Sequence, residues 1–195
     1  MFSLIVFGGT VVLLLLAVAV AAYVVLIFNR LVRLKHEALK AWSNIDVLIR
    51  QRHDEIPKLV ESCKRYMTHE RATLVAVLHA RRAVAEASDA RDMTRLGAAE
   101  AQLRQGLSSV FAAVEAYPVL QADESFRRLE TRIVDLENAI ADRREFFNDC
   151  VNSNNIRLEQ FPDVIIARVF GFEPLELLSF DADDLADVDL RQLFA

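Results

Sequence analysis

The sequence predicts an all-α protein in which an N-terminal transmembrane helix is followed by an antiparallel up-and-down bundle of four long helices. The 195 residues include only 5 glycines and 4 prolines, a composition that favours long helices with few sharp turns. An apolar run without any charged residue extends from Phe2 to Phe28. Beyond it, apolar residues recur at steps of three and four, which is the period of an amphipathic helix.

The apolar run is expected to be a retained membrane anchor. At about 1.5 Å per helical residue it reaches roughly 40 Å, more than the ~30 Å of hydrocarbon in a bilayer. The alternative, a cleaved signal peptide, needs a basic segment before a shorter apolar core and a small-residue cleavage site after it. Here no basic residue precedes the run, and the run ends in Phe28-Asn29-Arg30.

Basic residues lie only on the C-terminal side of the anchor, where Arg30, Arg33 and Lys35 flank the membrane. Because lysine and arginine are retained in the cytoplasm, this asymmetry predicts an outside N-terminus and a cytoplasmic remainder. The two cysteines, Cys63 and Cys150, would then lie in a reducing compartment and remain free thiols.

Three regions are expected: an anchor over residues 1–29, a helical bundle over 30–172 and an acidic tail over 173–195. The net charge is -5, and the residues from Asp181 to the end contribute -4 of it through five aspartates and one arginine. A nearly neutral body without a basic face argues against nucleic acid as a partner.

The first bundle helix is predicted from a long apolar stripe that begins at Leu31 and ends near Tyr66. Arg52 occupies a position where this stripe requires an apolar side chain. Pro57 lacks a backbone donor and is expected to kink the helix near residues 51–53.

A second helix is expected to start after Met67, with Thr68 as its N-cap and Glu70 in its first turn. Without that break, one helix from Leu31 to Ala87 would be roughly 85 Å long. The break is therefore the preferred interpretation.

Ser88-Asp89 is predicted to start the third helix, and Tyr117-Pro118 to end it. Asp123 is expected to cap the last long helix, whose heptad-like apolar seam is sustained until Pro162.

The segment after Pro162 is unusually apolar. Three alternatives are open for it: packing against the base of the bundle, lying on lipid, or docking a neighbouring subunit. Its candidate contact residues are Val164, Ile165, Val169, Phe170 and Phe172. The tail from Glu173 onward is expected to be loosely ordered or to form a short docking segment.

The sequence indicates no catalytic residues, no cofactor and no metal site. The histidines His36, His53, His69 and His79 lack metal-ligand spacing and are expected on the surface. Neither a glycine-rich phosphate loop nor a Gly-x-Ser-x-Gly elbow occurs.

Several polar residues lie on or beside the apolar seams. On the last helix, steps of seven and four place four of them on one stripe, which is expected to face the first helix. The stripe is interpreted either as a ligand or switch site inside the bundle, or as a polar layer that fixes helix register and partner choice, which is preferred. The predicted cluster consists of Asp46, Arg52, Glu137, Arg144, Asn148 and Asn155.

These residues belong to a pattern that resembles the LemA family. The pattern covers nearly everything from the anchor to Phe172. It includes Ala41-Trp42-Ser43-Asn44-Ile45-Asp46-Val47, Arg52, Ile56-Pro57, Tyr66, His69-Glu70, Glu115-Ala116-Tyr117-Pro118, Glu137-Asn138, Arg144, Phe147-Asn148, Asn155, Phe161-Pro162 and Gly171-Phe172.

The resemblance implies a bacterial inner-membrane protein with one N-terminal anchor and a cytoplasmic helical bundle. It implies no enzymatic function, and relatives resemble factors that organise membranes, as in magnetosome formation. Some members are encoded beside a membrane metalloprotease, which suggests envelope quality control.

The predicted function is a non-enzymatic single-pass scaffold that self-associates and organises membrane or membrane proteins. The alternative is a membrane-tethered adaptor or signalling protein in envelope stress or protein quality control. The expected partners are the lipid bilayer, further copies of the chain and a membrane-protein client.

Overall fold

The computed structural model describes residues 2–178, with side chains from residue 7 onward, and every regular element in this range is a helix. The all-α prediction is therefore confirmed. The six helices of these residues are α1 (Phe2–Lys64), α2 (Arg71–Ala90), α3 (Met93–Val114), α4 (Pro118–Ala122), α5 (Glu124–Glu159) and α6 (Asp163–Val169).

Helix α1 holds both the apolar run and the first bundle stripe in 63 continuous residues. Between Gly9 and Pro57 the sequence has neither glycine nor proline, so no residue there weakens or breaks the backbone hydrogen-bond ladder. Pro57, the predicted kink site, lies inside the helix. The apolar part is long enough to cross a bilayer, and its side chains from Phe7 to Tyr23 are all exposed.

The described residues fall into two compact units. The first comprises the chain up to Lys40 together with residues 149–175. Its buried cluster joins the end of the apolar run in α1 to the end of α5 and to α6. The members are Ile27, Leu31, Leu158, Ile166 and Ala167, with Val24, Phe28 and Phe172 partly buried against them.

Helix α6 is fixed at both of its ends. Asp163 in its first turn is buried and forms an ion pair with Arg157 of α5. At its other end Gly171 adopts φ +68°, a left-handed conformation that suits glycine. The backbone N–H of Phe172 then donates to the carbonyl of Ala167 at 2.9 Å, a helix ending that turns the chain and directs Phe172 back onto the cluster.

Within the described residues, the second unit comprises residues 41–148 and 176–178. Its cross-helix contacts are antiparallel, as an up-and-down bundle requires. The contacts between α1 and α2 join Asp46 to Ser88 and His53 to Arg81. Those between α1 and α5 join Trp42 to Phe147, Arg52 to Glu137 and Gln51 to Arg132, while Val77 of α2 faces Gly106 of α3.

The predicted break between the first two bundle helices is confirmed, but its cap is different. Helix α1 ends at Lys64, and the N–H groups of Tyr66 and Met67 both donate to the carbonyl of Cys63. The N-cap of α2 is Glu70, which makes no side-chain capping bond, and Thr68 lies exposed in the connection.

The predicted start of the third helix at Ser88-Asp89 is wrong. Both residues belong to the last turns of α2, where Ser88 is buried because its hydroxyl donates across the bundle to Asp46 at 3.0 Å. Arg91 ends α2 with a left-handed φ of 53°, and Asp92 caps α3 by accepting from the N–H of Arg95 at 2.9 Å.

The last long helix starts where the sequence predicts. The Asp123 carboxylate accepts from the N–H groups of Ser125 at 2.8 Å and Phe126 at 3.2 Å. The third helix ends at Val114, just before the predicted Tyr117-Pro118. Pro118 also begins the short α4, because its fixed φ and missing N–H suit a first helical position.

Candidate functional site

The most deeply buried charged group in the described part of the chain is the Arg52 guanidinium, which is 1 % exposed. Its Nη2 donates to both carboxylate oxygens of Glu100 on α3, at 2.5 and 2.7 Å. Its Nη1 donates to Glu137 on α5 at 2.6 Å. One side chain of α1 is therefore bonded to two other helices of the second unit.

Burial and the neighbouring charges shift the pKa values of Arg52 and Glu100 in opposite directions. Burial acts to lower the pKa of Arg52, but the Glu100 and Glu137 carboxylates outweigh it and raise that pKa above its ordinary value. Burial raises the pKa of the Glu100 carboxyl, and the Arg52 guanidinium opposes that rise. We assign Arg52 as charged, because arginine stays protonated in proteins and two carboxylates surround it.

The sequence pattern missed Glu100, although a signal for it exists. Glu100 lies four residues after Leu96 and three before Leu103, in the middle of the buried stripe of α3. A carboxylate in that position needs a cationic partner, and Arg52 on the neighbouring seam provides it.

The geometry fits a structural polar layer better than a ligand site. Glu100 is nearly as buried as Arg52, whereas the Glu137 side chain is 21 % exposed. The described residues form two surface depressions, one lined by residues that include Arg128 and the other by residues that include Met67. Neither depression is lined by Arg52, Glu100 or Glu137. The layer connects α1, α3 and α5 through the hydrogen bonds of Arg52.

Asp46, a member of the predicted cluster, forms hydrogen bonds within α1 and to α2. Its carboxylate accepts from Arg50 Nε at 3.0 Å and from the Ser88 hydroxyl at 3.0 Å. Arg50 also donates to Asp89 at 2.9 Å. Asp46 therefore connects α1 to the end of α2.

Asn148 and Asn155 share the stripe of α5 but bind the start of the predicted tail rather than the first helix. In the first unit, the Asn155 amide donates to the Leu175 carbonyl at 2.8 Å and accepts from the Leu175 N–H at 2.9 Å. In the second unit, Asn148 makes the same pair with the backbone of Leu178, at 3.0 and 2.9 Å. A carboxamide carries both a donor and an acceptor, so it can satisfy both polar groups of one residue.

Residues 173–178 are therefore docked on α5, and the rest of the predicted tail lies outside the described residues. The sixth member of the predicted cluster, Arg144, is half-buried on α5.

Three of the four histidines are exposed as predicted, whereas His53 is half-buried. Arg81 donates to the His53 carbonyl at 2.7 Å, and its Nη2 lies 2.6 Å from the ring Nε2. Burial and the Arg81 charge lower the pKa of His53, which favours the neutral ring. Within residues 7–178, no group of three or more histidine, cysteine, aspartate or glutamate side chains is arranged to hold a metal ion.

The prediction of free thiols is confirmed for Cys63 and Cys150. Cys63 is fully buried in the second unit, and burial raises the pKa of its thiol to about 11. A protonated, inaccessible thiol of this kind acts as a small apolar side chain.

The membrane-proximal part of the first unit combines aromatic contacts with exposed apolar side chains. The Phe28 ring packs edge-on against Phe170 and Phe172, with centroids 4.9 and 5.6 Å apart. Among the predicted contact residues, Val164 and Phe172 are half-buried, whereas Ile165, Val169 and Phe170 are exposed. The predicted flanking cations are exposed as well, at Arg30, Arg33 and Lys35.

The sequence is similar to a known protein family and to three characterised proteins. The model of the LemA family matches residues 41–190. The magnetosome protein MamQ of Magnetospirillum gryphiswaldense is 33 % identical over 70 residues, which are 36 % of this chain and 26 % of that protein. MamQ 1 and MamQ 2 of Paramagnetospirillum magneticum match to the same extent. The matched region thus spans about a quarter of the length of these relatives.

Proposed function

The chain belongs to the LemA family, and from that premise we propose that it is a non-enzymatic, single-pass scaffold that self-associates to organise membrane or membrane proteins. The family assignment, the apolar span of α1 and the similarity to a magnetosome protein together indicate a membrane protein. The scaffold role, the bacterial inner membrane as its location and a cytoplasmic bundle belong to the proposal.

The observation that carries the proposal is the continuity of α1. One uninterrupted helix supplies the membrane span and also core residues of the second unit, such as Ile45 and Ile56. The chain therefore passes from the proposed span to these core residues without a flexible linker. This continuity supports a protein whose bundle acts at a membrane.

The polar layer around Arg52 supports the non-enzymatic part of the proposal. A catalytic use of Arg52 and Glu137 would require a cleft in which substrate reaches both groups. In the described residues Arg52 and Glu100 are sealed within the bundle instead.

The decisive experiment measures the mass and shape of the full-length protein in lipid nanodiscs by light scattering and electron microscopy. A variant that begins at Leu31 is compared in solution, and circular dichroism first establishes that it retains the helical content of residues 31–195. We expect a defined assembly of several copies that depends on the anchor.

A strictly monomeric full-length protein at high concentration would remove the scaffold role. An assembly that forms equally well without the anchor would retain self-association but would place its cause in the bundle rather than in the membrane span.

The second candidate is a membrane-tethered adaptor, which the docked tail favours. The paired bonds of Asn155 with Leu175 and Asn148 with Leu178 lead the chain along α5 towards the acidic segment from Asp181. An adaptor would present that acidic segment to a client.

This candidate is tested by deleting residues 181–195 and comparing crosslinked partners in native membranes. The adaptor predicts that one specific crosslink to another protein disappears while crosslinks between copies of the chain persist. If the crosslink to the other protein and the crosslinks between copies are both lost, or if both persist, the result would contradict a client bound through the tail.

A further inference from the structure

We propose that the exposed apolar side chains of α6 and of the residues that flank it lie in the lipid interface of the bilayer that α1 spans. This surface, named here the α6 face, consists of Ile165 and Val169 on the helix and of Phe161 and Phe170 beside its ends. The inference rests on the proposed membrane span and adds a second, peripheral contact with the same bilayer. It concerns residues of the first unit alone.

The position of α6 along α1 provides the first argument. The inward side of α6, through Ile166 and Ala167, packs into the cluster that contains Ile27 and Leu31. Of the α1 residues in or against this cluster, three belong to the uncharged run and one lies just beyond Arg30. These residues are Val24, Ile27, Phe28 and Leu31. Helix α6 is therefore held at the level where the uncharged run ends, which is the depth of the membrane surface.

The exposure of the α6 face provides the second argument. Phe161 is 82 % exposed and Val169 is 72 % exposed, values that match Leu26 on the membrane span at 66 %. Ile165 and Phe170 are about half exposed. Contiguous apolar side chains of this size in water are unfavourable, whereas a bilayer interface would cover them together with the neighbouring turn of α1.

The charges around the α6 face provide the third argument. Arg168 is exposed on α6, and Arg30 and Arg33 are exposed on the adjoining part of α1. Such side chains keep an apolar stem in the interface and extend the cation to lipid phosphates. The acidic residue within α6, Asp163, is instead buried in its ion pair with Arg157 and so does not face lipid.

The anchoring of the α6 face is built into the fold. The edge-on contact of Phe170 with Phe28 and the turn at Gly171 hold this short helix against the span. A free amphipathic peptide loses conformational entropy when it becomes ordered at a membrane. The α6 face is already ordered in the folded protein, so less entropy is lost on binding and the binding to lipid is stronger.

The test introduces a tryptophan reporter and measures quenching by lipid bromine. The full-length Val169→Trp variant is reconstituted in phosphatidylcholine–phosphatidylglycerol vesicles whose acyl chains are brominated near the headgroup. Leu26→Trp serves as a reference on the span, and Phe146→Trp as a control at an exposed site on α5. The unsubstituted chain, whose only tryptophan is Trp42, measures the background.

We expect Val169→Trp to lose as much emission to brominated lipid as Leu26→Trp does, and Phe146→Trp to lose no more than the background. Quenching of Leu26→Trp without quenching of Val169→Trp would overturn the inference while leaving the membrane span intact. In that case a blue-shifted emission would indicate that a second protein covers the α6 face, and a red-shifted one that water does. Absence of quenching at Leu26→Trp would overturn the span itself.

Discussion

Arg52 is a buried cation whose removal leaves the buried Glu100 carboxylate without its hydrogen-bonded cationic partner. We expect Arg52→Met to lower the free energy of unfolding by about 3–5 kcal/mol, because the remaining carboxylate stays buried and its lost hydration is no longer offset by an ion pair. The double variant Arg52→Met/Glu100→Leu should recover most of that loss, because it removes both buried charges. Chemical denaturation in detergent, followed by the emission of Trp42, measures the three free energies.

Arg50→Met is the matched control for this prediction. Arg50 pairs with Asp46 and Asp89 but is 63 % exposed, so solvent screens both ion pairs and its removal should cost far less stability than the removal of Arg52. Equal losses for Arg52→Met and Arg50→Met would show that the cluster around Arg52 does not stabilise the bundle.

His53 makes part of the stability depend on pH. Its pKa is lower in the folded protein than the ordinary 6.5, so the unfolded chain binds a proton first as the pH falls. The stabilisation is therefore complete above the ordinary pKa and is lost as the pH falls towards the folded pKa. We expect His53→Gln to show a smaller loss of stability than the unsubstituted protein between about pH 8 and pH 5.5.

His79→Gln, which replaces an exposed histidine of α2, is the control for this pH dependence. The denaturation midpoints of the three proteins are compared at both pH values. An unchanged pH dependence in His53→Gln would refute the assigned role of His53.

Single residues differ in how far the sequence reveals their surroundings. Arg52 interrupts an apolar stripe, so its place in one cluster with Glu137 could be predicted, whereas its burial could not, because helix periodicity alone does not fix the register between helices. The partners of Asp46 could not, because its exposed neighbour Arg50 and the hydroxyl of Ser88 leave no periodic signal. Ser88 also shows why the predicted helix boundary was wrong. Serine favours helix starts, but this serine lies inside α2, where its hydroxyl donates a hydrogen bond to Asp46 of α1.

The packing of α2 against α3 depends on a glycine. A Cβ at Gly106 would lie 3.0 Å from Val77 Cγ2, and Val77 is fully buried and β-branched. We expect Gly106→Ala to destabilise the protein by about 1 kcal/mol, because the strain of overpacking outweighs the gain in helix propensity. In the double variant Val77→Ala/Gly106→Ala, the alanine methyl occupies vacated space, so the combined loss should be smaller than the sum of the single losses.

Thermal unfolding followed by circular dichroism compares these variants. Ser108→Ala, an exposed change on α3, should be nearly neutral. Additive losses for Val77→Ala and Gly106→Ala would contradict a direct contact between the two positions.

The attachment of the tail to α5 depends on amide chemistry. Asn155→Asp retains the acceptor for the Leu175 N–H but loses the donor for the Leu175 carbonyl and places a charge beside it. Losing one hydrogen bond of about 1 kcal/mol should raise amide exchange about five-fold in residues 173–178. Hydrogen–deuterium exchange with mass spectrometry measures this, with the exposed Asn152→Asp as control; equal exchange in both variants would disprove the attachment.

Helices were predictable to the extent that their periodicity is local. The Asp123 cap of α5 and the break before α2 can be predicted from residues nearby in the sequence. The binding of residues 173–178 to α5 cannot. That segment has no period of its own, and its partners Asn148 and Asn155 lie 20 or more residues earlier in the chain. A seven-residue asparagine spacing predicts one helix face but not what binds there.

For the protein as a whole, the membrane span is inferred from the distribution of charge and apolar residues along the chain. The uncharged run and the following cations are strong sequence signals, so the anchor could be predicted without any contact information. The number of copies in an assembly could not, because self-association depends on surface shape rather than on periodicity.

The proposed orientation of the whole protein rests on the cations that flank the apolar run. We expect an exposed thiol at Val119→Cys on α4 to be shielded from an impermeant thiol reagent in intact bacterial spheroplasts and labelled after lysis. Replacing Arg30, Arg33 and Lys35 together by glutamine should raise the fraction labelled before lysis, because retention of the C-terminal side then loses its nearest positive charges. The unsubstituted protein, with Cys63 buried and Cys150 half-buried, measures the background. Labelling of Val119→Cys in intact spheroplasts, with the flanking cations present, would reverse the proposed orientation.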